Sequence, residues 1–456
     1  MRKFLVFQFL FALAATPVFA HVSEQGFVLL LPTGVYTVAG VSAVALTVMA
    51  LFAVTADGIR ALFARRQFDA RIPRGLVHGV SLLSTSLLAL LIYLGFFGPR
   101  DPLSNLMPLG FWTLGWIGLL SLSAFLGNLW HALNPWTGMY HLIWRRSALF
   151  QLPEWIGNWP AIALLAGFSA FLLADIAPDD PARLASFVGL YWLATFGGML
   201  VFGPGWLRHA ELGHALFAAF SSLAPLRLRK PAGLGGPGWQ VIEVRRSSGA
   251  GVFALTLLAV GSFDGLNETF WWLGTIGINP LEFPGRSAVV GITLLGLGGT
   301  VVLLITSFAA TIWLGLKISR ATVRFSTAFS ALALCVLPIA LVYHMAHYLT
   351  SFMVLVQYLI AALSDPFGNG ADLLGIEPFR VTTGFFNSID TVRLIWITQA
   401  SLVVLGHVWS VFLAHRIALD LFGTSLRAAF ATLPLSLFMI GYTFLGLWLL
   451  AAAKGA

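Results

Sequence analysis

Charge is scarce in this chain: of 456 residues, 10% are charged and 58% hydrophobic. A soluble domain carries about a quarter charged residues, so the polar surface needed to coat a water-soluble globule of this size does not exist. Cysteine is scarcer still. Cys335 stands alone inside an apolar run, which excludes an intrachain disulfide and a cysteine-based metal cage. No phosphate-cradling glycine loop, nucleophile elbow or dinucleotide fingerprint occurs, which argues against ATP-driven chemistry within the chain. The formal charge of +8 does not point to nucleic acid, because the basic residues sit in short clusters between apolar runs.

What is present is apolar length. Runs of roughly twenty residues, the length that crosses a bilayer, lie near 27–54, 75–97, 108–130, 155–174, 184–203, 251–273, 287–315, 326–350, 391–414 and 428–450. The expected fold is an all-α polytopic membrane bundle of about ten transmembrane helices (range 10–12) in one domain, 21–456. Residues 1–20 read as a secretory signal peptide: Arg2 and Lys3, an apolar stretch from Phe4 to Ala15, then Val18-Phe19-Ala20 as a cleavage site. Cleavage would expose His21, whose amine and ring together offer a metal two donors.

Arginine sets the expected orientation. Arg60, Arg65, Arg66, Arg71 and Arg74 follow the first run, Arg145 and Arg146 the third, and Arg227, Arg229, Lys230, Arg245 and Arg246 the fifth. Lys317, Arg320 and Arg324 follow the seventh, and Arg416 and Arg427 the ninth. Every second loop is basic, so those loops are expected in the cytoplasm and the mature N-terminus in the periplasm of a bacterial inner membrane. Residues 205–224 carry Arg208, His209, Glu211 and His214 and read as an interfacial or re-entrant helix. The run 326–363 is either one long tilted helix or a span followed by a surface helix.

Ionisable residues inside apolar spans are costly, and each is a site candidate. His344 and His347 stand three apart, hence on one helix face, and His407 lies deep in a later span. Asp264 sits in Ser262-Phe263-Asp264-Gly265-Leu266-Asn267-Glu268, where glycine and asparagine suggest a broken helix. Imidazoles with a carboxylate suit a divalent metal, so His347, His407, His344, Asp264 and His21 are the candidate ligands. Buried polar residues joining helices by hydrogen bonds are the competing reading. On the loop after the eighth span, Asp365 in Ser364-Asp365-Pro366 reads as a turn-forming helix stop. If that loop folds over the histidines, Asp365 joins Asp264 as a catalytic carboxylate. His209, Glu211 and His214 do not have zincin spacing and read as a polar interfacial face. Leu133-Asn134-Pro135-Trp136 reads as a helix end, with Trp130, Trp136 and Trp144 as interface anchors.

These residues also carry a resemblance. Phe263-Asp264-Gly265-Leu266, Ala346-His347-Tyr348, Ser364-Asp365-Pro366-Phe367-Gly368, Gly406-His407-Val408, Ala414-His415 and Leu133-Asn134-Pro135-Trp136 together resemble bacterial membrane proteins of the fenitrothion hydrolase family. The matches are short and scattered across about 130–415, so their combination carries the likeness. It implies hydrolysis of an apolar organophosphorus triester to a phenol and a dialkyl thiophosphate, by an integral subunit working with small exported partner subunits. Asp264, His347, Asp365, His407 and His415 match the family pattern; His344 does not. Two other readings stay open. One is a periplasm-facing metal (copper) transport or delivery protein, and the other is a b-type haem protein with His347 and His407 as axial ligands. Membrane lipid is a partner in every case, and nucleic acid in none.

Overall fold

The computed structural model describes residues 26–70, 72–144, 148–243, 248–376 and 378–454. The expected signal peptide and His21 lie outside the described residues. Nine helices among the described residues are long and apolar enough to cross a membrane. With the shorter Trp159–Ala174 they are α1 (Thr33–Ala50), α2 (Arg74–Phe97), α3 (Leu106–Leu126), α4 (Trp159–Ala174) and α5 (Pro181–Phe202), followed by α6 (Ser248–Asn267), α7 (Arg286–Ile318), α8 (Phe325–Ser364), α9 (Ile389–Phe422) and α10 (Ser425–Ala451). The fold is an all-α polytopic bundle.

Local chemistry sets several of the boundaries. Asp180 caps α5 by accepting from the Arg183 amide at 2.8 Å, with Pro181 in the first turn, where its missing N–H costs nothing. Thr424 caps α10 in the same way. The run 326–363 resolves into one continuous helical rod, α8, with a tighter 3-10 segment at Ala333–Val336. Within α3, residues Leu109–Leu119 form a π-helix, which the apolar run did not announce.

Loop contacts sort the connections to two ends of the bundle. At one end β1 (Arg65–Gln67), β2 (Leu226–Arg227) and β3 (Gly233–Gly235) form an antiparallel sheet in the order β1-β3-β2. This joins the loops after α1 and α5. Arg65 and Arg227 both pair with Glu243, at 2.7 and 3.0 Å, and both lie over the Trp239 ring. Ser425, the first residue of α10, donates to the Val54 carbonyl at this same end. At the opposite end Thr269 bridges to Lys454, and Arg286 reaches the Leu172 and Asp175 carbonyls. α4 therefore runs between the same two ends as the longer helices, and its 16 residues reach about 24 Å. The loops after α1, α5 and α9 therefore share one end.

The core is formed by α6, α8 and α9. In their most apolar windows α6 and α8 are each 78% buried, against 11% for α1 and 22% for α7. One sequence expectation narrows here and one changes. Residues 205–224 are not a helix lying on a surface. Gly205–His209 and Leu212–Ser221 are short helices, and the second packs inside, with Phe220 only 1% exposed. The chain enters and leaves on the basic-loop end, so the segment is re-entrant. Trp136 does not anchor at an interface either: it is 2% exposed, donates to the Trp192 carbonyl and packs edge-on against Trp130. Paired indoles inside protein satisfy their N–H groups there.

Candidate functional site

α6 delivers Asp264 to the bundle interior, three residues before the helix ends at Asn267. The helix breaks after Asn267, inside the stretch where glycine and asparagine suggested a break, and Thr269 caps the short helix Phe270–Thr275 that follows. Gly265 serves close packing instead. A Cβ on it would lie 2.0 Å from the Tyr343 hydroxyl and 3.8 Å from His347 Nδ1. The missing side chain is what lets α8 press these two residues against α6.

Opposite Asp264, α8 presents His347 and Tyr348. His347 Nε2 lies 3.1 Å from Asp264 Oδ2, and the Tyr348 hydroxyl donates to the same oxygen at 2.5 Å. Tyr343 stacks on the His347 ring, with centroids 5.9 Å apart and planes within 10°. Because a carboxylate only accepts, His347 Nε2 carries the proton in this contact and Nδ1 is the basic nitrogen. His344, one turn earlier, bonds differently: its Nε2 lies 3.0 Å from the Trp116 carbonyl oxygen in the π-helical part of α3. The shared face of His344 and His347 is as expected, yet they serve different partners. π-helical turns are frequent at functional sites, and this one sets a backbone carbonyl against an imidazole.

These groups line one cavity. Asp264, His344, His347, Tyr343, Tyr348 and Trp116 enclose about 20 Å³, which accommodates about one water molecule. Phe220 of the re-entrant helix also lines it. Its polar lining side chains are a carboxylate, two imidazoles, two phenols and an indole.

Three sequence expectations are not met by this geometry. His407 does not join the cluster: it is not among the cavity's lining residues, and its Nδ1 bonds the Val403 carbonyl at 2.8 Å. Asp365 is not near it either. It ends α8, about 27 Å along the helix from His347, and accepts from the Asn369 and Gly370 amides at 3.0 and 2.7 Å. The turn-forming reading of Asp365 is therefore the one seen. Third, among the described residues no three His, Cys, Asp or Glu side chains are placed to hold a metal ion. Asp264 and His347 supply two donors, and the Nε2 of His344 is taken by Trp116. The donor set thus does not fit a divalent metal as it stands. A porphyrin does not fit, since His347 Nε2 already faces Asp264 and the cavity is water-sized.

Backbone amides of Gly370 and Asn369 hold the Asp365 carboxyl below its ordinary range. A depressed folded value stabilises the loop above the ordinary carboxylate range of about pH 4, and that contribution is lost as pH falls through the lower folded value. Asp365→Ala should therefore speed amide exchange across 366–376 at neutral pH, and exchange as slow as in the wild type would mean that this carboxylate does not hold the loop.

The group at His209, Glu211 and His214 is also corrected. Glu211 is not on an exposed polar face but 1% exposed. It accepts from Trp130 Nε1 and the Tyr191 hydroxyl at 2.8 Å each, and from the Gly213 and His214 amides. Four donors around one carboxylate cap the re-entrant helix, a structural role. Sequence reading also missed Tyr348, Tyr343 and Trp116. The signal for Tyr348 was its place beside His347; Trp116 carried none, because it contributes a backbone atom.

Comparison of the chain with protein-family models, with curated proteins and with solved structures finds no match.

Proposed function

We propose that this chain is an integral-membrane hydrolase subunit that activates water at an Asp264–His347 pair and acts on apolar organophosphorus triesters. The observation that supports it most is the contact of His347 Nε2 with Asp264 Oδ2 beside a water-sized cavity. In the proposed step His347 Nδ1 takes a proton from water as the oxygen attacks phosphorus. Asp264 holds the imidazole in the tautomer that leaves Nδ1 free and stabilises the imidazolium that forms. The P–O bond to the phenol breaks, and the phenolate leaves with the bonding pair. Tyr348 keeps Asp264 in place through its hydroxyl.

The cavity admits the water and not a whole triester, so substrate binding has to move lining side chains. An apolar substrate can reach them through lipid, which fits the scarcity of charge on the outer helices. The basic end of the bundle is assigned to the cytoplasm on the positive-inside rule, with the expected N-terminus in the periplasm and the inner membrane as location.

The test is release of phenol from a fenitrothion-class triester by membranes carrying the chain, with and without co-expressed exported proteins. Turnover above that of membranes lacking the chain is expected. No turnover under either condition removes the hydrolase reading, and stoichiometric metal without turnover would favour metal delivery in its place.

A further inference from the structure

Two histidines of α9 carry a ring nitrogen with no partner in the bundle interior. His407 is 1% exposed and His415 is fully buried. His407 Nδ1 faces the Val403 carbonyl, which can only accept, so Nδ1 carries the proton and Nε2 is a bare acceptor. That Nε2 is buried and unpartnered. Ser425 Oγ donates to the Val54 carbonyl at 3.3 Å, so toward His415 it accepts, from Nε2–H at 3.2 Å. His415 Nδ1 is then the bare acceptor, and it too is buried without a partner. The Val403 carbonyl fixes the His407 tautomer, the hydroxyl of Ser425 bonds His415 Nε2, and each ring keeps one nitrogen unengaged. Buried polar atoms left in this way call for an explanation, such as a water or a transported proton.

Polar groups extend the line both ways. The Tyr442 ring packs near the His407 ring, with centroids 6.4 Å apart. The Tyr442 hydroxyl lies 2.5 Å from Ser262 Oγ, two residues from Asp264 on α6. Ser262 Oγ gives its own hydrogen to the Leu258 carbonyl, so the Tyr442 hydroxyl is the donor to Ser262. Between the two histidines Ser410 is buried and donates to the Cys335 carbonyl. His415 follows His407 by about 12 Å along the helix, and its partner Ser425 touches Val54 at the basic end. On the same helix Arg416 and Asp420 pair with each other at 2.5 Å. Cys335 and Tyr442 are the other titratable groups packed along it.

We propose that α9 carries a proton path from the neighbourhood of Asp264 to the basic end of the bundle, with His407 and His415 as its two proton-binding stations. A proton arriving on water is taken by His407 Nε2 and released from the same nitrogen to the next water, because Nδ1–H stays bonded to Val403. His415 repeats the step on Nδ1 while Nε2–H stays on Ser425. No electrons move, and one proton leaves at one end for each that arrives at the other. The path stands independently of the hydrolase reading, since it uses neither the His347 base nor a substrate.

The experiment reconstitutes the full chain in phosphatidylcholine liposomes containing a trapped pH-sensitive dye. Potassium and valinomycin clamp the potential, and acid is added outside. Wild-type liposomes should acidify severalfold faster than protein-free ones. His407→Gln and His415→Gln should each return the rate close to the protein-free value, because glutamine keeps hydrogen bonding but binds no proton. Wild-type flux equal to that of protein-free liposomes overturns the proposal, as do glutamine variants that conduct like wild type. Should a variant fail to insert, the wild type decides alone: flux slowed in D2O supports the path, and excess flux unchanged in D2O marks bilayer leakage and overturns it.

Discussion

Gly315→Ala is expected to lower the stability of the detergent-solubilised protein by about 1–3 kcal/mol, the scale of overpacking in a filled core. α7 crosses α10 at this glycine, and a Cβ there would sit 1.9 Å from the Ala431 carbonyl oxygen. Backbone cannot rotate away as a side-chain tip can, so the two helices have to separate. The loss then spreads to every contact between them. Gly298 and Gly299 on the same helix provide the control, since a Cβ at either meets nothing within 4 Å. Alanine at those positions should be neutral, or slightly stabilising because alanine is the better helix former. Thermal unfolding followed by circular dichroism checks the contrast. Equal melting of all three variants would mean that α7 and α10 do not meet at Gly315.

His347→Gln should lower triester turnover by roughly 10²–10⁴-fold, the usual worth of a positioned general base. Glutamine can still donate to Asp264 but offers no basic nitrogen to water. Asp264→Asn should cost a similar factor by a different route. The amide carries no charge to stabilise an imidazolium, although its one carbonyl oxygen can still accept from His347 and Tyr348. Tyr348→Phe should cost less than either, because it removes one donor to Asp264 and leaves the base in place. Insertion should survive all three changes, since one side chain alters the summed apolarity of a span only slightly. A variant series in which Tyr348→Phe is the most damaging would point to the phenol as the reacting group.

Much of the architecture was legible because the bilayer imposes its own length and charge rules. Runs such as 287–315 announce helices by apolarity alone, and the arginines after alternate spans correctly grouped loops that the sheet β1-β3-β2 later joins. Asp264 and His347 were legible for the same reason: an ionisable group in an apolar run stands out. What escaped were properties set by partners distant in the chain. Glu211 looks like a surface carboxylate in its local sequence, and only Trp130 and Tyr191, 81 and 20 residues away, reveal it as buried. His407 shares the rarity of His347, so rarity could not show that its ring faces Val403 and Tyr442 instead of Asp264. The Trp116 carbonyl depends on a π-helical stretch that no residue pattern in 109–119 encodes. Gly315 resembles its lipid-facing neighbours Gly298 and Gly299 until α10 is placed beside it.

The central claim is that Asp264 and His347 act as one unit on water, and groups that act as a unit are not additive. Turnover of a fenitrothion-class triester by Asp264→Asn, His347→Gln and the double variant, at matched membrane expression, tests it directly. The account predicts that the double variant is no slower than the slower single variant. A double variant slowed by the product of the two single effects, or full turnover in Asp264→Asn, would contradict it.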